Sequence, residues 1–200
     1  RINSNKFLIF EGLHSFYIGS IRNMCDVKIF VDTSEDLRRH WKVIRDVEQR
    51  GYSKARIISS INKRISDSVQ NISPQRKFSD IVISFDTKHK IKSIGSKEQI
   101  NLILKITIDN GLDSDLLLKL FSNVGSVDLE VVLGQDLNTQ ILIFDGDLTS
   151  EQIKDIAYSL VENYDDLILE SNIRWHKGYD GIIQLIILYY LSYKLRGDFK

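Results

Sequence analysis

The sequence contains very little cysteine and proline: one cysteine, Cys25, and one proline, Pro74, occur in 200 residues. A single cysteine excludes an internal disulfide framework and any metal site built from several thiolates. It also favours a reducing compartment, and we expect the cytoplasm. The longest apolar run, Ile182–Tyr193, is shorter than the ~20 residues that a helix needs to cross a bilayer. No signal peptide is visible, so we expect no membrane partner.

The apolar content is that of an ordinary globular protein. Hydrophobic residues make up 42% of the chain and aromatic residues 10%, which is enough for a core and excludes wholesale disorder. The length allows one large or two small domains at about 100–200 residues each. The first residue is Arg1 rather than Met, and a strand-like apolar run follows within a few residues. We therefore expect the chain to be a fragment of a longer protein.

The net charge of zero conceals an uneven distribution. Residues 36–77 contain eleven Lys or Arg against four Asp or Glu, whereas residues 101–172 contain three against fourteen. The basic part can attract phosphates. The acidic part makes nucleic acid a poor general ligand, because backbone phosphates dominate that affinity, and we expect no nucleic-acid partner. The alternative is that both parts are solvated surfaces, which is the favoured interpretation for any single charge.

The first part of the chain alternates between fully apolar runs and helical periodicity. Fully apolar strands separated by helices predict a parallel sheet with crossover helices. Sites in such sheets lie at the carboxyl ends of the strands, where Glu11 and Asp32 follow two of the runs. On the first long helix, Leu37, Trp41, Ile44 and Val47 or Glu48 recur at helical spacing, with basic residues between them. The predicted elements are strands Lys6–Phe10, Val27–Val31 and Ile81–Phe85, a helix from Glu35 that ends or kinks at Gly51, and a helix over Lys54–Arg64.

The second part follows a different pattern. Residues 102–108 alternate between apolar and polar, which is typical of a half-buried strand. The order of strand, helix, strand, strand and helix fits an α+β, ferredoxin-like layer, and a last helix that is apolar nearly all round should be buried. We predict a parallel-sheet α/β domain over residues 1–86, a linker over 87–100 and an α+β domain over 101–200. The second-part elements are Leu102–Ile108, Asp113–Phe121, Val127–Leu133, Gln140–Phe144, Ser150–Tyr164 and Gly181–Arg196.

One constellation of charges on the first long helix has the spacing of a phosphate site. Lys42 and Arg45 share a face, and Asp46 lies beside them, four residues before Arg50. Guanidinium groups bind phosphate oxygens in a bidentate way and neutralise charge that develops in phosphoryl transfer. The alternative is a solvated helix whose Asp46–Arg50 ion pair contributes ~0.3–0.5 kcal/mol. Spacing alone does not decide between the two.

A set of short motifs carries a resemblance to a known family. In chain order they are Glu11-Gly12-Leu13-His14, Phe16-Tyr17, Asp26–Asp32, Trp41-Lys42 with Arg45-Asp46, Glu48–Gly51, Arg64, Ser73-Pro74-Gln75 and Ser79–Ile83. As an ordered set from about Phe7 to Phe85, they resemble the phosphoribulokinase/uridine kinase family of P-loop kinases. Trp-Lys-x-x-Arg-Asp favours the phosphoribulokinase side. Weaker similarity appears in Ile143–Gly146 and in the last helix.

The resemblance implies an ATP-dependent kinase that uses Mg²⁺ and transfers the γ-phosphate to a hydroxyl of a small sugar, sugar phosphate or nucleoside. Glu11 would be the Walker B-type acid near magnesium, and a carboxylate at a strand end followed by Gly12 suits that role. His14 and Tyr17 would lie on the acceptor side. The catalytic, phosphate-facing residues would be Lys42, Arg45, Asp46 and Arg50 of a lid, with Arg64 beyond it; Arg45 and Arg50 would also contact ATP.

The chain departs from this family at the phosphate loop. No Gly-x-x-x-x-Gly-Lys-Ser/Thr occurs in it, although that loop cradles the ATP phosphates. The family's acidic base lies in the same missing part, and Ser15 stands where phosphoribulokinases usually have Pro. We therefore expect a sheet that lacks its central strand, a missing N-terminal segment, and no activity from this chain alone. The alternative is a non-catalytic anion-binding or regulatory module. The acceptor stays unidentified, and a homo-oligomer is left open.

Overall fold

The structure, a computed structural model, describes residues 8–109, 111–135, 137–162, 164–167 and 173–197. The chain divides into two compact units. The first contains the described residues up to Val82 together with Ile91–Gln99, and the second contains Ile83–Lys90 and the described residues from Ile100 onwards. Across these described ranges, no helix combines the length and the apolar character that a membrane span requires.

The described residues form an α/β structure around a mixed five-stranded sheet. The strands pair in the order β1-β2-β3-β5-β4, and β5 runs antiparallel to both β3 and β4. Strand β2 contributes residues to both units. The predicted α/β class is confirmed. The strands are β1 (Ile29–Thr33), β2 (Ile81–Thr87), β3 (Leu102–Asp109), β4 (Val127–Leu133) and β5 (Thr139–Gly146).

The first unit is dominated by a helical region that follows β1. Acidic Glu35 and Asp36 in the first turn of α2 favour the helix through its dipole. Gly51 ends that helix with φ 66°, a left-handed conformation that glycine adopts without strain. The Ser53 side chain caps α3 by accepting from the Arg56 N–H. The helices are α1 (Gly19–Arg22), α2 (Glu35–Arg50), α3 (Lys54–Asp67), a π-helical turn (Ser68–Ile72) and a 3₁₀ turn (Ser73–Phe78).

The prediction of a buried strand over residues 6–10 is wrong for the residues that the structure describes. Leu8, Ile9 and Phe10 form no regular structure and are 69%, 89% and 58% exposed, while Lys6 and Phe7 lie outside the described residues. An apolar run becomes a buried strand only where neighbouring strands pair with its backbone. No other described segment supplies such a pair here. Strand β1 is likewise half-buried rather than buried.

The apolar residues that recur at helical spacing on α2 differ in burial. Leu37 is buried, Trp41 and Val47 are exposed, and the buried positions are spaced by three residues. Two of the four are polar, and polar side chains can be buried when they have hydrogen-bond partners. By contrast, the prediction for α3 is confirmed, with Ile57 and Ile61 buried. The buried residues of α2 are Leu37, His40, Val43 and Asp46.

The second unit packs helices on the β3–β5–β4 part of the sheet. Alternate residues of β3 are buried, as the alternating pattern predicts, and the register pairs Leu104 with Phe144 and Ile106 with Leu142. Leu117 and Phe121 of α4 add to this core. The last helix buries residues spaced by about one turn, namely Ile182, Leu185, Ile186, Tyr189 and Tyr190. The helices of this unit are α4 (Ser114–Val124), α5 (Ser150–Leu160), α6 (Tyr164–Leu167) and α7 (Gly178–Gly197).

Candidate anion-binding site

The helix α2 presents its basic face to a cleft in the first unit. The cleft has a volume of about 790 Å³. Its lining includes Arg38, Lys42 and Arg45 from α2, apolar Phe30 and Trp41, and further side chains from the end of β1 and from residues 65–73. A concave site with an apolar wall and several cations suits a small organic anion.

Asp46 holds two arginines of this cluster together. The residue is 4% exposed, and its Oδ1 accepts a hydrogen bond from Arg45 Nε at 2.9 Å and lies 3.3 Å from Arg50 Nη1. The bond from Arg45 holds the pKa of Asp46 below its ordinary value against the opposing effect of burial, and the nearby charges lower it further. Asp46 is therefore a buried anion at neutral pH, whereas the side chains of Arg45 and Arg50 are about half exposed.

Lys42 connects this group to the next helix. Burial lowers the pKa of Lys42, and the positive charges of Arg64, Arg38 and Arg45 lower it further, whereas Asp46 raises it. The cation on α3 is thus close enough to influence the cations on α2. The structure brings together the predicted residues Lys42, Arg45, Asp46, Arg50 and Arg64. Their cations outnumber their single carboxylate, which leaves a positive field at the cleft.

The lowered pKa of Lys42 predicts how anion binding depends on pH. A lysine with a lowered pKa loses its proton at a lower pH than an ordinary lysine. As the pH rises, anion affinity should therefore begin to decline before the pH reaches 10.5, the usual lysine pKa. We expect pyrophosphate affinity, measured by calorimetry between pH 7 and pH 10, to decline on the alkaline side. Lys42→Arg should remove this decline because arginine stays charged throughout that range. Identical profiles for the two proteins would contradict the prediction.

Carboxylates at the rim of the cleft neutralise some of the other arginines. Glu35 accepts hydrogen bonds from Arg38 Nε at 2.8 Å and from Arg39 Nε at 2.7 Å. Burial raises the pKa of Glu35, but the bonds from both arginines outweigh it and the pKa is lowered. Asp32 forms an ion pair with Arg76 at 3.1 Å. These ion pairs offset part of the charge of Arg38, Arg39 and Arg76, and the excess positive charge comes from the cations around Asp46.

The predicted acceptor-side residues lie together in the segment before β1. The rings of His14 and Tyr17 are 5.9 Å apart in an edge-to-face arrangement. Gln75, which is buried, fixes this segment: it accepts from the Phe16 N–H at 2.9 Å and donates to the Leu13 carbonyl at 3.0 Å. Gln75 belongs to the motif Ser73-Pro74-Gln75, but the motif alone does not reveal these hydrogen bonds, because their partners are about 60 residues away in the chain.

The predicted magnesium ligand does not form a metal site with its neighbours. Glu11 is exposed, and the described residues contain no cluster of three or more His, Cys, Asp or Glu side chains that could hold a metal ion. Within the same described ranges, Glu11, His14 and Tyr17 are not among the residues that line the cleft. The residues present thus do not fit a preformed magnesium centre, and the roles of these three residues stay predictions.

Comparisons with known proteins agree with the resemblance. Residues 1–92 match the model of the "Phosphoribulokinase / Uridine kinase family". The chain is 36% identical over 83 residues to a phosphoribulokinase of Synechocystis, which covers 42% of the chain and 25% of that protein. It is 37% identical over 106 residues to the chloroplastic phosphoribulokinase of Chlamydomonas reinhardtii, covering 52% of the chain and 28% of the relative. It is also 38% identical over 77 residues to uridine-cytidine kinase B of Dictyostelium discoideum, covering 38% and 32%. The chain thus spans about a quarter to a third of the length of these relatives.

Proposed function

We propose, from the premise that residues 1–92 of this chain belong to the phosphoribulokinase/uridine kinase family, that the whole protein is an ATP-dependent kinase. It would transfer the γ-phosphate to a hydroxyl of a small sugar, sugar phosphate or nucleoside. The observation that carries this proposal is the group of α2 cations around the buried carboxylate of Asp46, joined by Arg64 of α3, whose charge acts on Lys42. Such a group can bind the charged oxygens of a phosphate chain.

In this proposal each residue of the cluster has a role that follows from its environment. Arg45 and Arg50 present guanidinium groups that are held by Asp46 and can stabilise negative charge on the transferring phosphoryl group. Lys42 and Arg64 add positive charge from the adjoining turn and the next helix. Asp46 is a positioning residue, since its carboxylate is occupied by the arginines. The reaction would break the bond from the γ-phosphorus to the bridging oxygen of ATP, form a bond to the acceptor oxygen and release ADP. The proton of the acceptor hydroxyl would pass to the family's acidic base, which accompanies the phosphate loop.

We also propose that catalysis needs a phosphate loop that this sequence does not contain. The exposed apolar run Leu8–Phe10 supports a sheet whose missing strand would cover it, because an apolar run of this kind is stable as a strand only when its backbone N–H and C=O groups are paired. The strand order β3-β5-β4 with α4 and α5 supports the ferredoxin-like layer. Glu11 would help to hold magnesium together with that phosphate loop, and the cytoplasm stays the predicted location.

The proposal is tested by phosphotransfer from ATP in the longest natural protein that contains this sequence. We expect ADP release with magnesium-ATP that depends on a hydroxyl acceptor, surveyed over pentose phosphates and nucleosides. A bound nucleotide should also raise the melting temperature by mass action. The 200-residue chain alone should show no turnover. Absence of both turnover and a thermal shift at millimolar ATP in the longest protein would contradict the kinase assignment, and robust turnover by the short chain would contradict the need for a missing loop.

A second candidate is a non-catalytic anion-binding or regulatory module. It is favoured by one observation: the cation cluster is assembled in a sequence that has no phosphate-loop motif. Such a module would bind pyrophosphate or ATP without consuming it. Pyrophosphate binding together with a complete lack of acceptor-dependent ADP release in the longest natural protein would select this candidate over the kinase.

A further inference from the structure

The segment Ile91–Gln99, called here the strap, packs against the first unit after β2 has ended. Its Ile94 contacts the apolar cluster formed by Val43 of α2 and by Ile57 and Ile61 of α3, all three of which are buried. The strap therefore lies on the buried side of α2. The strap lies within the predicted linker 87–100, and seven of its nine residues are other than Ile91 and Ile94, so its composition gave no sign of this contact.

One hydrogen bond fixes the strap to α2. The Gly95 N–H donates to His40 Nδ1 at 3.1 Å, and His40 is 2% exposed. His40 directly precedes Trp41, which lines the cleft, and is two residues before Lys42. A buried imidazole that accepts at Nδ1 carries its proton on Nε2. Breaking this bond would leave the buried Nδ1 of His40 without its partner, which is the costly way to lose a hydrogen bond.

Gly95 is the residue type that this contact requires. Its φ is 77°, a left-handed conformation that other residues adopt only with strain. A Cβ at this position would also overlap the side chain of Val43. The strap thus approaches α2 so closely that only glycine fits. A second link, the ion pair of Lys97 with Glu48 at 3.2 Å, is largely exposed and should contribute little.

We propose that the strap is a latch that positions α2, with His40 and Gly95 as positioning residues for the cation cluster on the opposite face. The latch holds α2 against α3 from the side of α2 that faces away from the cleft. Arg38, Lys42 and Arg45 therefore converge on the cleft before an anion binds. Preorganisation of this kind raises affinity because less ordering remains for binding. The inference deepens the proposed function and rests on it for the identity of the natural anion, whereas the latch itself is tested without that identity.

The first test observes the latch directly in the 200-residue chain by NMR. We expect slow hydrogen exchange of the Gly95 amide, and ¹⁵N shifts of His40 that show an unprotonated Nδ1 and a protonated Nε2. Either a Gly95 amide that exchanges at the rate of an unstructured peptide, or a His40 ring with a proton on Nδ1, would overturn the latch. Neither measurement depends on kinase activity.

The second test compares two variants of His40 with inorganic pyrophosphate as the probe. His40→Asn offers an amide oxygen near the position of Nδ1, whereas His40→Leu fills the space without an acceptor. We expect His40→Leu to weaken pyrophosphate binding about threefold to tenfold and to leave Gly95 unprotected, and His40→Asn to restore both. Lys97→Ala, which breaks only the exposed ion pair, should bind pyrophosphate like the wild type.

The outcomes separate the latch from the proposed function. Equal pyrophosphate affinity in His40→Leu and His40→Asn, with both folded by circular dichroism, would overturn the positioning role, as would a wild-type chain that does not bind pyrophosphate. If neither His40 variant folds, exchange at Gly95 in the wild type and the affinity of Gly95→Ala decide the matter, and Gly95→Ala is expected to bind more weakly. If the latch is intact but the longest natural protein shows no acceptor-dependent ATP turnover, only the kinase proposal is contradicted.

Discussion

Replacing Arg45 by glutamine is expected to lower kcat for acceptor-dependent ADP release by about 10²–10³-fold in the longest natural protein. Arg45 lines the cleft, and a hydrogen bond to Asp46 holds its guanidinium group in place. Its side chain is 49% exposed, so the folded state should lose little when it is shortened. Asp46 keeps Arg50 as a partner in this variant. Steady-state kinetics measure the effect, and the melting temperature should change only slightly.

Two further variants serve as controls for this result. Arg39→Gln removes an arginine from the same helix, but Arg39 pairs with Glu35 and is not among the described residues that line the cleft, so kcat should change little. Arg45→Lys keeps the charge and loses the planar, bidentate fork, and an intermediate kcat is expected. Equal kcat values for Arg45→Gln and Arg39→Gln would refute the assigned role of Arg45.

Replacing Phe121 by alanine should lower the free energy of unfolding by about 3–5 kcal/mol, the usual range for a buried phenylalanine. Phe121 of α4 and Phe144 of β5 are fully buried, and their rings lie 5.2 Å apart. The truncation would leave a cavity between the helix and the sheet, which the rigid register around Phe144 cannot easily close. Urea unfolding of the 200-residue chain, followed by far-UV circular dichroism, measures the change.

The matched control is Phe10→Ala in the same chain. Phe10 is exposed and lies outside regular structure, so its removal should change the free energy of unfolding by no more than about 0.5 kcal/mol. If Phe10→Ala destabilised the chain as much as Phe121→Ala, the described environment of one of the two residues would be incorrect.

The elements with strict local patterns were predictable from the sequence. In β3, the buried residues Leu104, Ile106 and Ile108 occupy every second position, and the register pairs Leu104 with Phe144 of β5. Such alternation specifies both the strand and its buried face, because a slip by one residue would expose the whole apolar set. The α3 face of Ile57 and Ile61 was predictable for the same reason at helical spacing.

Burial that depends on distant partners was not predictable. The run Leu8–Phe10 is as apolar as a buried strand, but its fate depends on neighbouring strands rather than on its own residues. On α2, the apolar Trp41 and Val47 are exposed, whereas His40 and Asp46 occupy buried positions. Their hydrogen-bond partners, Gly95 and the neighbouring arginines, make burial of polar groups acceptable, and no local pattern reveals such partners.

The candidate site was partly predictable. The spacing of Lys42, Arg45 and Arg50 indicated a basic helix face, and the family resemblance singled out Arg64. The sequence could not show that a buried carboxylate organises these cations, since an Asp four residues before an Arg occurs on many solvated helices. It also gave no role to Gln75, whose hydrogen bonds reach the segment that contains His14.

The arrangement in which one oxygen of Asp46 serves both Arg45 and Arg50 links the fates of three positions in sequence. Each guanidinium group limits where the other can lie, so a substitution at one alters the partner that remains. Neutralising Asp46 would release both at once and leave like charges facing each other, with nothing between them. These three positions should therefore change together during evolution. Homologues that lack an acidic residue at the position of Asp46 should also lack arginine at the position of Arg45, of Arg50, or of both.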